Sequence, residues 1–392
     1  MGSSESKIVS FKVELTASEK SYIRREIETV LESGWLTKGK YTKEFEREFA
    51  AKSGAKYCSA LSSGTVALDA VLRAFGLDAY EVLVPVNSNF GTLAGVIESG
   101  ALPVLYDGGL YAHVEEIERA LTTRTGGVVV VHIGGYISPE IFAIRVLCRN
   151  RGLLLIEDAS HAHFAEARGV MAGNIGDAAA FSLFVTKVLT CGEGGMITTS
   201  RKDVRDIVNS LRDQGKNAAG MHIRAGNSWR MSEMNAITGT AQLQDVDSTI
   251  ASLRGIESMY RAAVASSGSA MLPVQPEGWF ASGHKFVALV KGREMRKRLT
   301  TFMARDGIQL GRGVYEKPLH AHPVFRKYAN LPFPLASEFA ARHICLPIFR
   351  TMTAREVERV IASLNAFALG ENPSRWKTSP DFGQVSAFPE RG

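Results

Sequence analysis

Charged residues stand where two apolar runs end. Glu157 and Asp158 close the run Leu153–Ile156, and Thr186 and Lys187 follow the run Ala178–Leu183. A carboxylate at one strand end and an amine just past another could together hold an electrophilic cofactor. A lysine becomes nucleophilic when desolvation or nearby positive charge lowers its pKa, and it then condenses with an aldehyde. A carboxylate can pair with a protonated ring nitrogen and keep that ring an electron sink. Each residue also has an ordinary reading: Lys187 as a solvated surface lysine, Asp158 as the cap of a helix starting at Ala159. The glycines of Gly192-Glu193-Gly194-Gly195 permit a tight backbone path beside a ligand.

Other polar groups fall at comparable places. Ser63-Gly64-Thr65 follows a strand and opens a helix carrying Val66, Leu68, Val71 and Leu72. Free N–H groups at a helix N-terminus, with two hydroxyls, form a phosphate site or simply an ordinary cap. The G-x-G-x-x-G turn of dinucleotide binders is absent. Ser182 is a second candidate phosphate ligand. His161 can reach a ring hydroxyl or ring face, whereas His163 reads as structural.

The elements that must position these residues follow from periodicity. Thr16-Ala17-Ser18-Glu19 is a capping box opening a helix that ends at Gly34, and a second helix near Tyr41–Lys52 buries Phe45 and Phe49. Strands are predicted at Tyr57–Leu61, Val82–Val86, Pro103–Tyr106, Val128–Ile133, Leu153–Ile156, Ala178–Leu183 and Met196–Thr199. Helical patterns separate most of them, which predicts an α/β fold with a largely parallel sheet covered on both faces. The last two strands, joined by a glycine-rich turn, allow one antiparallel member. Ligands in such sheets bind beyond the carboxyl ends of the strands, where Ser63–Thr65, Asn87–Phe90, His132, Asp158 and Ser182 fall. A long helical region from Ser232 to about Ser266, with breaks expected near Asp245 and Gly255, leads to a smaller α+β domain. There Lys285–Val290 reads as a strand, and Glu294–Arg305, Ser337–Ile344 and Thr353–Phe367 as helices. The expected division is a lead-in over 1–15, a large domain over 16–245, a small C-terminal domain over 246–370 and a tail over 371–392.

Composition excludes several classes. In 392 residues, 45% hydrophobic and 22% charged content is that of a globular protein. The formal charge of +6 is dispersed, not gathered as a nucleic-acid surface would need. No run reaches a membrane span and no signal-peptide core opens the chain, so a cytoplasmic protein is expected. Cys58, Cys148, Cys191 and Cys345 fit neither a zinc spacing nor a disulfide framework, and no metal site is expected.

Taken together, Ser63-Gly64-Thr65, Glu157-Asp158-Ala159, Ser182 and Thr186-Lys187 resemble the sugar aminotransferases of the DegT–StrS family. Ser33-Gly34-Trp35-Leu36-Thr37, Phe45-Glu46-Arg47-Glu48-Phe49 and Gly226-Asn227-Ser228-Trp229-Arg230-Met231-Ser232-Glu233 extend the likeness across roughly Leu15 to Ala366. The resemblance implies pyridoxal 5'-phosphate as cofactor, its pyridoxamine form between half-reactions, the fold type I (aspartate aminotransferase) architecture, and a homodimer with shared active sites. By position, Lys187 would bind the cofactor aldehyde and move protons, Asp158 would pair with the ring nitrogen, and His161 would lie near the ring. Ser63, Gly64, Thr65 and Ser182 would hold the phosphate, with Asn227 arriving from the neighbouring subunit. Asn89 stands where many relatives have an aromatic over the ring, and Phe90 is the candidate substitute. Arg312, Lys317 and His320 are candidates for reading a keto sugar, expected to be nucleotide-linked, with glutamate or glutamine as donor. Two alternatives share the fold. In the sugar dehydratase branch a histidine replaces the lysine, so Lys187 argues against it. A silent cofactor-binding regulator is the other, against which the intact Asp158–Lys187 pair speaks.

Overall fold

The structure is a computed structural model describing residues 6–370 except Ser269, Arg312 and Asn330; the predicted tail and Arg312 lie outside the described residues. Helices α1 (Ala17–Ser33) and α2 (Lys40–Ser53) precede the sheet. The capping box forms as read, with Thr16 and Glu19 bonding reciprocally and Gly34 closing the helix in the left-handed region.

The main sheet contains β1 (Tyr57–Leu61), β2 (Glu81–Pro85), β3 (Leu102–Tyr106), β4 (Thr125–Val131), β5 (Leu154–Asp158), β8 (Ala178–Ser182) and β9 (Gly195–Thr199). A short hairpin, β6 (Glu166–Ala167) and β7 (Val170–Met171), lies between β5 and β8. The seven strands run in the order β1-β9-β8-β5-β4-β2-β3. Only β9 is antiparallel to its neighbours: it returns from β8 without a crossover helix, which a parallel partner would require. Helices α3 (Gly64–Ala74), α4 (Phe90–Glu98), α5 (Val114–Ala120), α6 (Ile141–Arg151), α7 (Lys202–Leu211) and α8 (Glu233–Gln244) cover the sheet. Its two faces enter separate hydrophobic clusters, Leu155, Ala179 and Phe181 in one, Ile156, Ala178 and Ala180 in the other.

Beyond α8 the chain breaks at Asp245, as expected, and α9 (Val246–Ser267) runs through Gly255 without the second break. Then come β10 (Phe286–Leu289), α10 (Arg293–Arg305), α11 (Pro334–Arg342), β11 (His343–Leu346) and α12 (Ala354–Leu369). The predicted helix Ser337–Ile344 is corrected here: the helix stops at Arg342, and His343–Leu346 pairs antiparallel with β10. The apolar run Ile344-Cys345-Leu346 is buried on both faces, a pattern that helix and strand share in a short segment.

Two long-range ties hold the assembly. Asp107, at the end of β3, accepts the N–H groups of Leu335 (2.8 Å) and Ala336 (3.0 Å), serving the open N-terminus of α11. The early segment adds an edge to the C-terminal part. Ile8 donates to Gly307 and accepts from Gln309, and Arg350 grips the Glu19 carboxylate.

Candidate active site

Helix α3 begins at the cavity floor. Ser63 is its N-cap, its Oγ accepting the Val66 N–H at 3.2 Å. The N–H groups of Gly64 and Thr65 find no acceptor among the described residues. The ordinary cap and the anion site therefore coexist, because the cap serves the third amide and leaves the first two open. The turn packs so closely on β8 and β9 that side chains are excluded. A Cβ on Gly195 would lie 2.1 Å from the Ser63 carbonyl oxygen, and one on Gly64 2.8 Å from the Ser182 Cβ. Gly195 pairs with Leu61 on one side and Ser182 on the other, so β9 brings the α3 turn beside Ser182.

A cavity of about 320 Å³ opens here. It brings together Ser63, Gly64, Thr65, Asn89, Phe90, Asp158, His161, Ser182 and Lys187, residues from five separate stretches of chain. Asp158 is buried at the end of β5. Its Oδ2 accepts the Thr92 hydroxyl at 2.7 Å and its Oδ1 the Ser160 N–H at 3.1 Å. No helix starts at Ala159, so Asp158 does not cap one. Glu157 points to the opposite sheet face, as strand alternation requires. It accepts from His132 (2.8 Å) and from the amides of Gly173, Ile175 and Gly176. Burial alone would raise its pKa; His132 and the amide donors outweigh that and hold it below the usual carboxylate value.

Lys187 sits in the β8–β9 loop, which α8 grips. Asn235 donates to the carbonyls of Cys191 (2.9 Å) and Glu193 (2.6 Å), and Gln242 bonds both backbone groups of Thr190. Asn235 and Gln242 are seven residues apart and hence on one helix face. Desolvation lowers the Lys187 pKa to about 8; Asp158 opposes that shift and Lys285 adds to it. His161 accepts the Gly134 N–H on Nδ1 at 3.2 Å, which leaves its remaining proton on Nε2. Burial, with the charges of Lys187 and Lys285, holds it well below its ordinary pKa, so it is neutral. Its ring stacks on His284 at 4.4 Å and lies near-parallel to Tyr315 at 5.7 Å. His163 is fully buried beside Phe164 and Phe181.

The remaining predicted residues lie elsewhere. Asn227 is exposed, its side chain accepting the Ser228 N–H. Lys317 is exposed, and the His320 ring packs on Phe333 at 5.0 Å; neither lines the cavity. Sequence reasoning missed Thr92, Tyr315 and the paired grip of Asn235 and Gln242. Only the last had a signal, two amides at helical spacing facing the lysine loop.

This geometry, an amine, a carboxylate and an open helix N-terminus lining one cavity of a mostly parallel α/β fold, is that of a fold type I aminotransferase. The chain belongs to the DegT/DnrJ/EryC1/StrS aminotransferase family, which it matches over residues 17–365. It is 32% identical to the spore coat polysaccharide biosynthesis protein SpsC of Bacillus subtilis, over 88% of this chain and 94% of that one. It is 31% identical to a GDP-perosamine synthase of Vibrio cholerae, covering 89% and 96% of the two chains. Among solved structures, DesV of S. venezuelae, in complex with a ketimine intermediate, superposes with a TM-score of 0.84 at 28% identity, covering 95% of this chain and 100% of that one. These relationships make the chain an enzyme of the sugar aminotransferase class.

Proposed function

We propose that this cavity holds pyridoxal 5'-phosphate and that the enzyme moves an amino group from glutamate or glutamine to a nucleotide-linked keto sugar. The observation that carries the reading is Asp158 and Lys187 lining one cavity with the open N-terminus of α3. The residues suit the cofactor. The Gly64 and Thr65 amides and the Ser63, Thr65 and Ser182 hydroxyls match a phosphate, and a buried carboxylate matches a ring nitrogen that must stay protonated. When bound, the cofactor supplies an aldehyde that condenses with amines and a cationic ring that accepts electrons.

The chain's own residues do the rest. Lys187, whose pKa is lowered to about 8, becomes a free amine at far lower pH than an ordinary lysine and can then take a proton from the donor's α-carbon and return it elsewhere. Such positioned proton transfer contributes on the order of 10²–10⁴-fold in rate. Thr92 and the Ser160 amide aim the Asp158 carboxylate. Neutral His161 offers its Nε2–H as a donor without adding charge. In the second half-reaction the same groups would move the protons in reverse while the donor's amine, carried on the cofactor, passes to the sugar ketone. Relatives named as GDP-perosamine synthases support a nucleotide-linked substrate.

A homodimer belongs to the same proposal. Phe90 and Phe184 line the cavity yet are 65% and 42% exposed, with Val185 beside them at 38%, apolar surface that a second subunit would cover. In this reading Asn227 of one copy completes the other's phosphate site.

The test is Lys187→Ala, incubated with a nucleotide-linked keto sugar and glutamate. Amino-sugar formation should vanish, together with the visible absorbance of lysine-bound cofactor. A variant that keeps full turnover overturns the proposal.

A further inference from the structure

The strand-to-helix turn after β2 is the place from which an aromatic would be expected to cover the cofactor ring, and here it leaves that position unfilled. Asn89 is the N-cap of α4, its Oδ1 accepting the Gly91 N–H at 2.9 Å, so its side chain is occupied locally. Phe90, the first residue of that helix, is 65% exposed, surface that the proposed second subunit covers.

An aromatic enters from another part of the chain. Tyr315 lines the cavity with Asp158 and Lys187, and its ring lies 23° from the plane of His161. Its backbone has φ +60°, a region that bulky side chains adopt only where surrounding structure forces it, and such sites concentrate at ligand clamps. Here the forcing is visible. Gly311 donates to Cys345 of β11 at 3.0 Å, and Leu319 donates to Val86, just past β2, at 2.9 Å, so both ends of the segment are pinned. Gly313 lies so close to His343 that an added Cβ would fall 2.0 Å from its Nε2.

We propose that Tyr315 is the aromatic positioning residue of this site: its ring, near-parallel to that of His161, covers the bound cofactor where the turn at Asn89 supplies no aromatic. Burial, reinforced by the Asp158 charge, keeps the phenol un-ionised, so it stays a hydrogen-bond donor throughout the working pH range. This inference rests on the cofactor reading above and adds which residue closes the site.

The experiment uses pyridoxamine 5'-phosphate, which cannot bond covalently to Lys187, titrated into cofactor-free protein and followed by its own fluorescence and induced circular dichroism. Tyr315→Ala should weaken binding about tenfold or more and reduce the induced dichroism, since it loses both ring contact and hydroxyl. Tyr315→Phe keeps the packing, guarding against a merely misfolded variant, and should release the ligand roughly threefold faster with the dichroism retained. Phe90→Ala should show the smaller loss. If Tyr315→Ala and Tyr315→Phe both bind as wild type does, or Phe90→Ala loses more than Tyr315→Ala, the inference is overturned. Failure of the wild-type protein to bind the probe would instead bring down the cofactor reading, and this inference with it.

Discussion

At the residue scale the sharpest consequence concerns Lys187. An ordinary lysine titrates near 10.4, whereas burial brings this one to about 8. Its amine should therefore lose its proton as pH rises through about 8. Labelling of Lys187 by a small acylating reagent, followed by peptide mass spectrometry on cofactor-free protein, should rise with that midpoint. Asp158 favours the ammonium form, so Asp158→Asn should move the midpoint lower. An unchanged or higher midpoint would contradict the account. Asp158 and Ser63 were legible in the sequence as polar residues at or just past the end of an apolar strand, and Lys187 as an amine in the glycine-rich loop that follows another. Thr92 and Tyr315 were not legible. Thr92 is an unremarked hydroxyl in the first turn of α4, and Tyr315 depends on a backbone conformation and on partners over 150 residues away.

At the scale of elements, the strands were legible to within a residue or two at most ends, because buried parallel strands write continuous apolar runs between turn signals. The antiparallel β9 was legible from its glycine-rich connection, which carries no helical pattern. The strand His343–Leu346 was not, since a short apolar run directly after a helix carries no period of its own. Tertiary capping is equally hidden. Nothing near Asp107 marks it as the partner of a helix more than 200 positions on, yet it serves two α11 amides. Asp107→Ala should destabilise the protein by roughly 1–3 kcal/mol, read as a lower Tm or denaturant midpoint, because buried N–H groups lose a charged acceptor. A Tm equal to that of wild type would show that α11 does not depend on the cap. The family motifs gain physical content at this scale too: Glu233 accepts the Tyr41 and Thr42 amides at the start of α2, and Glu46 accepts from Ala60.

At the scale of the whole molecule, a shared site makes a prediction that one chain alone does not. If the proposed homodimer shares its sites, Lys187→Ala and Asn227→Ala proteins should each be poorly active, but after subunit exchange the mixed dimer should carry one intact site. With random pairing, activity should then approach about a quarter of wild type. If mixing adds nothing to the separate activities, Asn227 does not act across an interface. The early segment has a consequence of a different kind. Arg359 donates to the Ser6 carbonyl, a contact spanning 353 positions, and Ile8 is buried against residues that follow Met303. During synthesis, all seven strands of the main sheet have left the ribosome once Thr199 emerges, while Ile8 still lacks the neighbours that bury it. The C-terminal core therefore closes on a segment made long before, so translation must pass Arg359 before the first described residues gain all their partners.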